Sequence, residues 1–222
     1  MNHEIAITIA GEEMLLLAGK ALYWPQRKNL CIADPHFGKA AAYRAWGQPV
    51  PHGTTVANLT RLDALLAKYP ANHLIWLGDF LHAPESHAAP TLAALHEWRQ
   101  RHSALTCTLI RGNHDLRAGD PPDTLNIEIV NEPLVIGPFA LRHTPVEQAG
   151  LHVIAGHLHP VFPLHGKGRQ SLRLPCFHVT EKMTVMPCFG DFTGGHPLKA
   201  RPGSRIFVTD GTVIWTVGAP CS

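Results

Sequence analysis

The chain has 222 residues, of which 45% are hydrophobic and 16% are charged, and its formal net charge is +2 at pH 7. This composition predicts a folded globular protein and excludes an intrinsically disordered segment. A net charge of +2 is too small to indicate nucleic-acid binding by itself.

Cysteine usage and the N-terminus exclude several further classes of protein. The five cysteines are odd in number and form no Cys-x-x-Cys pair, which argues against a disulfide framework or a zinc knuckle. The N-terminus carries Glu4, Glu12 and Glu13 without a leading basic segment, so no signal peptide is expected. No apolar run approaches the ~20 residues of a membrane helix. We expect a single domain over residues 1–222 in a cytoplasmic protein without a membrane partner.

The first half of the chain alternates predicted strands with predicted helices. Strands are predicted at Ile5–Ile9, Met14–Leu17, Ala21–Trp24, Leu30–Ala33, His73–Leu77 and Thr106–Ile110. Residues 53–68 are predicted to form a helix capped by Thr54 or Thr55, because Val56, Leu59, Leu62, Leu66 and Tyr69 recur at helical spacing. A second helix is predicted at Thr91–His102.

The second half of the chain is predicted to be mostly β-structure, with no strong helix. Its predicted strands are Ile127–Val130, Leu134–Ile136, Phe139–Leu141, Val153–Ala155, Leu172–Leu174, Thr184–Met186, Ile206–Val208 and Val213–Val217. Two packed mixed sheets flanked by helices satisfy this order of elements. The expected fold is therefore an α/β protein, a four-layer αββα sandwich.

Five clusters of polar residues follow the apolar runs, where strands are expected to end. The clusters are Asp34-Pro35-His36, Gly78-Asp79, Gly112-Asn113-His114-Asp115, His143, and Gly156-His157-Leu158-His159. In α/β proteins, the carboxyl ends of strands carry the functional residues. Imidazole, carboxylate and amide oxygen suit first-row divalent ions better than thiolate-bound zinc.

The spacing of these residues predicts two neighbouring metal sites. Residues i and i+2 of an extended segment point to the same side, so Asp34 and His36 can converge on one ion, while His157 and His159 can straddle two. Asp79 stands alone after a glycine turn, as a carboxylate shared by both ions would. Two divalent ions about 3.5–4 Å apart clamp a phosphate and acidify a water molecule, which is the chemistry that phosphate-ester hydrolysis needs.

The order D-x-H, G-D, G-N-H-D, H and G-H-x-H, over residues 34–159, resembles the calcineurin-like metallophosphoesterase superfamily. The resemblance implies that one metal takes Asp34, His36, Asp79 and His159, and the other takes Asp79, Asn113, His143 and His157. It also implies that a metal-bridging hydroxide is the nucleophile. His114 would then assist the leaving group, with Asp115 as the partner that orients it.

The flanking segments are similar to a narrower family, the bacterial DNA-ligase-associated metallophosphoesterases, which act as DNA damage response endonucleases. The similar segments are residues 34–40, residues 49–54 and residues 187–195. This resemblance implies a phosphodiesterase with two divalent ions, manganese first and iron or zinc as alternatives. It implies DNA as substrate and functional association with an ATP-dependent DNA ligase and a helicase in repair.

Two alternative functions stay open at this point: a phosphatase or phosphodiesterase of small nucleotides, and a non-catalytic scaffold without metals. Weaker substrate-binding candidates are Lys39, Arg44 and Arg111, which lie close to the motifs and could hold a phosphate oxygen or simply be solvated. His82 could line the site or lie at the surface. Four aromatic residues are candidates for base stacking or for burial, namely Phe162, Phe177, Phe189 and Phe192.

Overall fold

Two mixed β-sheets pack face to face in the computed structural model, which describes residues 2–50, 53–166, 171–191 and 193–217. Apolar side chains of both sheets interdigitate between them, among them Leu16 and Ile75 from one sheet and Phe139 and Phe177 from the other. The predicted α/β class and the two mixed sheets are confirmed.

The first sheet follows the order of the chain. Its strands are β1 (Glu4–Ile9), β2 (Glu12–Leu17), β3 (Ala21–Trp24), β4 (Asn29–Ile32), β5 (His73–Leu77), β6 (Thr106–Ile110) and β7 (Glu128–Val130). Neighbouring strands from β1 to β4 run antiparallel, whereas those from β4 to β7 run parallel.

The second sheet contains the remaining described strands. They are β8 (Leu134–Ile136), β9 (Phe139–Arg142), β10 (His152–Ala155), β11 (Pro160–His165), β12 (Ser171–Val179), β13 (Met183–Val185), β14 (His196–Pro197), β15 (Arg205–Thr209) and β16 (Ile214–Val217). Strand β10 lies between β9 and β13 and is parallel to both. Strands β11 and β14 were not predicted, and β11 contains two prolines, which are rare inside sheets.

The described α-helices all lie between Lys39 and Ala118. They are α1 (Lys39–Ala45), α2 (Thr54–Lys68), α3 (Ala89–Arg101) and α4 (Asp115–Ala118), with two 3₁₀ turns at Pro84–His87 and Asp123–Leu125. Helices α2 and α3 cover the outer face of the first sheet. On the outer face of the second sheet, Phe162, Leu164 and Leu198 pack around Leu174 and Val208. No helix in the described part of the chain is both long and apolar enough to cross a membrane.

The helix predictions are right in place but not in every detail. Helix α2 begins after Gly53, and no threonine side chain caps it. Val56, expected on the inward face, is 56% exposed. Leu65 is buried where Leu66 was expected to be, and Leu66 is only partly buried. Helix α1 was not predicted, because its seven residues include four alanines and show no apolar period.

The two sets of parallel strands place their carboxyl ends at one edge of the sandwich. Strands β4, β5 and β6 supply three of these ends, and β9, β10 and β13 supply the other three. Because all of the polar clusters follow these strands, both sheets contribute to a single site.

Candidate metal centre

The structure brings the seven predicted metal ligands together at this edge. Four donor groups form the first cluster, in which the ligand atoms of Asp34, His36, Asp79 and His159 lie within 4.8 Å of one another. His36 Nε2 lies 3.4 Å from His159 Nε2 and 3.8 Å from Asp79 Oδ2. His159 Nε2 lies 3.7 Å from Asp34 Oδ2.

The second cluster shares Asp79 with the first. Ligand atoms of Asp79, His143 and His157 lie within 4.8 Å of one another. His143 Nε2 is 3.4 Å from Asp79 Oδ1, 3.0 Å from His157 Nδ1 and 2.9 Å from Asn113 Oδ1. The two oxygens of the Asp79 carboxylate therefore face different clusters, as a bridging ligand requires.

The donor spacing fits bound cations. Metal–ligand bonds of about 2.0–2.2 Å place neighbouring donors about 3.0–3.5 Å apart, close to the separations found. One oxygen of the fully buried Asp34 carboxylate, Oδ1, has no hydrogen-bond partner among the described residues. A buried carboxylate oxygen without a partner costs free energy, and a cation would remove that cost.

The titration behaviour of His36 and His157 points the same way, whereas at His159 the hydrogen bonds with Asp34 and Cys188 outweigh burial and raise the pKa to about 10. Burial and the neighbouring charges of His159 and Lys39 hold the pKa of His36 well below its ordinary value, so its imidazole is neutral with a lone pair to donate. Burial also lowers the pKa of His157. Burial raises the pKa of Asp79, because an isolated anion is unfavourable there. Adjacent cations would reverse that preference.

The ring orientation of His143 is fixed by the backbone. Its Nδ1 donates a hydrogen bond to the Leu77 carbonyl oxygen, 3.1 Å away. The other nitrogen, Nε2, faces the second cluster. Such a carbonyl partner behind a metal-binding histidine selects the tautomer that can ligate.

The backbone at the ligands differs from the expected extended geometry. Five ligand residues have left-handed backbone, with φ of 53° at Asp34, 46° at His36, 51° at Asp79, 70° at His157 and 48° at His159. The interpretation of Asp34/His36 and His157/His159 as same-side neighbours on extended segments is thus wrong. Tight left-handed turns bring these side chains together instead.

At two motif positions only glycine fits, because a carboxylate ligand lies too close to the backbone for any side chain. A Cβ added to Gly112 would lie 2.3 Å from Asp79 Oδ1, and one added to Gly156 would lie 2.6 Å from Asp34 Oδ2. Any side chain at these positions would displace a carboxylate ligand from another motif. The glycines are therefore part of the site's geometry.

His114 and His82 form a stacked pair beside the first cluster. Their ring centroids are 4.9 Å apart with an interplanar angle of 20°, and His82 Nδ1 lies 3.4 Å from His36 Nδ1. His82 therefore lines the site. Burial lowers the pKa of His82 to about 4, so its ring is neutral at pH 7. His114 Nδ1 donates a hydrogen bond to the His82 carbonyl oxygen, 2.7 Å away.

Asp115 does not hold the His114 ring, which corrects the prediction that it orients this histidine. Its carboxylate accepts hydrogen bonds from the backbone N–H groups of Phe80 (2.9 Å), Leu81 (3.2 Å) and Gly112 (2.9 Å). Burial raises the pKa of Asp115 to about 6. In the structure Asp115 ties the loop after β5 to the loop after β6, and the His82 carbonyl orients His114.

The weaker phosphate-binding candidates lie in three different places. Lys39 lies on α1 beside the centre and shares a small pocket with His36 and Tyr43. Arg44 lines a separate cleft between α1 and the start of α2. Arg111 is held by Asp120 through two hydrogen bonds of 2.8 and 2.6 Å. Its guanidinium is therefore engaged by a carboxylate at the surface of this structure.

Base stacking and burial are the two alternatives for the four phenylalanines. Phe177 and Phe189 are fully buried, and Phe162 packs against the outer face of the second sheet. Phe192 lies outside the described residues. Burial therefore holds for Phe177 and Phe189, while Phe162 is partly buried.

Sequence reasoning missed two residues that touch the centre. The Cys188 thiol lies within 4.8 Å of the ligand atoms of His36 and His159, and it donates to the Asp34 carbonyl oxygen at 3.0 Å. The Glu132 carboxylate accepts from the backbone N–H of His143 at 2.8 Å. Cys188 lies in the 187–195 segment, whose resemblance was noted, whereas Glu132 carries no sequence signal.

Comparisons with a family model and with solved structures show what the chain is similar to. The family model described as calcineurin-like phosphoesterase matches residues 28–185. The chain is similar to the crystal structure of Pseudomonas putida nuclease MPE, with 46% identity, a TM-score of 0.86, and coverage of 96% of this chain and 100% of that one. A phosphoesterase from E. coli is similar at 16% identity over 86% of this chain and 93% of that one, with a TM-score of 0.41. No curated protein matches the chain.

Proposed function

Because the chain belongs to the calcineurin-like phosphoesterase family, and is a metal-dependent phosphoesterase, we propose that it cleaves phosphodiester bonds of DNA with two divalent ions. The observation that carries the proposal is the Asp79 carboxylate, whose two oxygens face two clusters of donors drawn from both sheets. A single-metal site would not need a carboxylate shared in this way.

Each ion has a defined set of ligands in this proposal. Asp34, His36, Asp79 and His159 would hold one ion, and the other would be held by Asp79, Asn113, His143 and His157. When bound, such ions supply Lewis acidity, which makes a water molecule nucleophilic and neutralises charge on the phosphate. We propose manganese, with iron or zinc as alternatives, on the resemblance of the flanking segments; the donor set suits first-row divalent ions in general.

His114 is positioned to assist the leaving group. With Nδ1 donating to the His82 carbonyl, Nε2 is the atom that faces outward to accept or deliver a proton. The neutral ring of His82 stacks on the His114 ring and restricts its rotation. A fixed imidazole that protonates a departing oxygen typically contributes about 10²–10⁴-fold to the rate.

The substrate and cellular setting extend the proposal. Similarity at 46% identity to a nuclease supports a nucleic-acid phosphodiester, and the resemblance of the flanking segments supports a repair role beside a DNA ligase and a helicase. We propose that residues 1–222 act as one domain and that the protein works in the cytoplasm.

Comparing three substrates in Mn²⁺ tests the proposed reaction. Turnover of a phosphodiester reporter and a DNA hairpin should exceed turnover of a phosphomonoester reporter, and metal analysis of the purified protein should give two ions per chain. A protein that hydrolyses only the monoester would overturn the diesterase assignment and favour the small-nucleotide phosphatase.

Replacing the shared carboxylate tests the bridging assignment directly. We expect Asp79→Asn, which keeps the shape but removes the charge, to lower kcat by about 1,000-fold or more, equivalent to about 4 kcal/mol. Metal content should fall below two ions per chain. Asp123→Asn, at an exposed position, is the matched control. Full activity of the Asp79 variant would contradict the assignment.

A further inference from the structure

Two aromatic side chains at the C-terminal end of α1 form a partly exposed surface that the proposed chemistry does not use. Tyr43 and Trp46 are one helical turn apart, and their ring centroids are 5.7 Å apart at an angle of 45°. The Trp46 side chain is 51% exposed. Isolated exposed apolar residues are common on protein surfaces, so exposure alone says nothing about function.

The surface is continuous with the candidate metal centre. The His82 ring lies 5.5 Å from the Tyr43 ring and 6.1 Å from the Trp46 ring. On its other side, His82 stacks on His114 and lies beside His36. Aromatic rings thus run without interruption from a metal ligand to the exposed indole.

The indole and the phenol are each held by a polar neighbour. Trp46 Nε1 donates a hydrogen bond to Glu85 Oε1, 3.1 Å away, in the 3₁₀ turn after β5. Lys39 Nζ lies 5.6 Å from the centroid of the Tyr43 ring. A ring that is fixed in place loses little conformational entropy when a flat ligand stacks on it.

The arrangement along the helix adds a cation on the side nearest the centre. Lys39 and Tyr43 lie in α1, and Trp46 is the residue that caps its C-terminus. At positions i, i+4 and i+7, the three side chains lie on one helical face. At 1.5 Å per residue they span about 10 Å. An ammonium group followed by two rings matches a nucleotide chain, whose phosphates are anionic and whose bases have π-faces.

We propose that Tyr43 and Trp46 are a platform on which one nucleobase of the substrate stacks, with Lys39 contacting a phosphate next to it. The inference rests on the proposed function and names the part of the substrate that this face recognises. A base in a duplex already stacks on both neighbours, so the platform favours a base that is unpaired. Tyr43 and Trp46 are positioning residues for the substrate and not catalytic ones.

Two variants of Trp46 test the platform by comparing activity on a substrate with bases and on one without. The measured quantity is the ratio of kcat/KM for a single-stranded oligonucleotide to kcat/KM for methyl p-nitrophenyl phosphate, a diester without a base. We expect Trp46→Ala to lower this ratio about 5- to 100-fold, the range of a lost base stack, and Trp46→Phe to retain most of it. Val135→Ala, at another half-exposed apolar position (53%), is the control and should leave the ratio unchanged.

Abasic substitution locates the stacked base. Oligonucleotides that carry one abasic site at successive positions are bound, in EDTA, to the wild type and to Trp46→Ala, and the affinities are compared as a double-mutant cycle. At one position the difference between the two proteins should vanish. A difference that persists at every position would overturn the platform, as would an unchanged ratio for Trp46→Ala. Because this measurement needs no turnover, it distinguishes failure of the platform from failure of the proposed reaction.

Discussion

At the scale of single residues, the motif glycines Gly112 and Gly156 each lie against a carboxylate ligand of a different motif. The Gly156 backbone approaches the Asp34 carboxylate so closely that a Cβ would lie 2.6 Å from Oδ2 and 2.8 Å from the Ala33 Cβ. The same Asp34 oxygen accepts the His157 N–H at 2.8 Å. A single methyl group at Gly156 would therefore disturb ligands from both sheets.

Gly156→Ala is expected to weaken metal binding about 10- to 100-fold, a range typical of changes that displace a ligand's support. Overpacking should also cost about 1–3 kcal/mol of stability. Calorimetric titration with Mn²⁺ measures the affinity. Gly194→Ala is the control, because a Cβ there has nothing within 4 Å. Equal affinities for the two variants would show that the close approach is unimportant.

At the scale of elements, residues 189–191 act as a support for the first ligand pair. Phe189 N–H and Gly190 N–H donate to the carbonyl oxygens of Ala33 and Asp34, at 2.8 and 3.1 Å. Helix α2 holds this segment through Arg61, which donates to the Phe189 carbonyl and pairs with Asp191 at 3.3 Å. The guanidinium also lies 4.3 Å from the Phe189 ring centroid.

Arg61→Met should therefore loosen the support while keeping a side chain of similar length. We expect a loss of about 1.5–3 kcal/mol in the free energy of unfolding, the range for a hydrogen bond to a charged group. Denaturant unfolding measures it. Arg101→Met removes an arginine whose ion pairs with Asp63 and Glu97 are exposed, so about 1 kcal/mol or less is expected. Equal losses in both variants would contradict the supporting role.

At the scale of the whole molecule, the centre joins the two sheets. Asp34, Asp79 and Asn113 follow strands of the first sheet, and His143, His157 and His159 follow strands of the second. Bound ions would thus link the carboxyl ends of both sheets across their interface. Because an unfolded chain cannot present these donors together, ion binding stabilises only the folded state.

Manganese should therefore raise the melting temperature. At an ion concentration of 100 times Kd, linkage gives about 2.7 kcal/mol, which corresponds to about 5–10 °C for a chain of this size. Differential scanning calorimetry in Mn²⁺ and in EDTA measures the shift, and Asp79→Ala should lose most of it. A wild-type melting temperature that is the same in both buffers would contradict this view of the site.

The sequence predicted the strands that carry ligands because each apolar run ends directly at a polar motif. It could not predict the turns at Asp34 and His157, since a left-handed backbone leaves no apolar period. The error at Asp115 has a related cause, because adjacency in the motif says nothing about which backbone groups a carboxylate meets. Trp46 was missed because α1 has no apolar period, so nothing marked its rings as neighbours of His82.

The left-handed backbone at five ligand residues limits how the site can change. Aspartate, asparagine and histidine are the non-glycine residues that adopt this conformation most readily, and they are also donors for hard and borderline cations. Backbone preference and coordination chemistry therefore favour the same few residue types at all five positions, namely Asp34, His36, Asp79, His157 and His159. Evolution toward a different ion, by recruiting glutamate or cysteine at these positions, would first have to rebuild the turns.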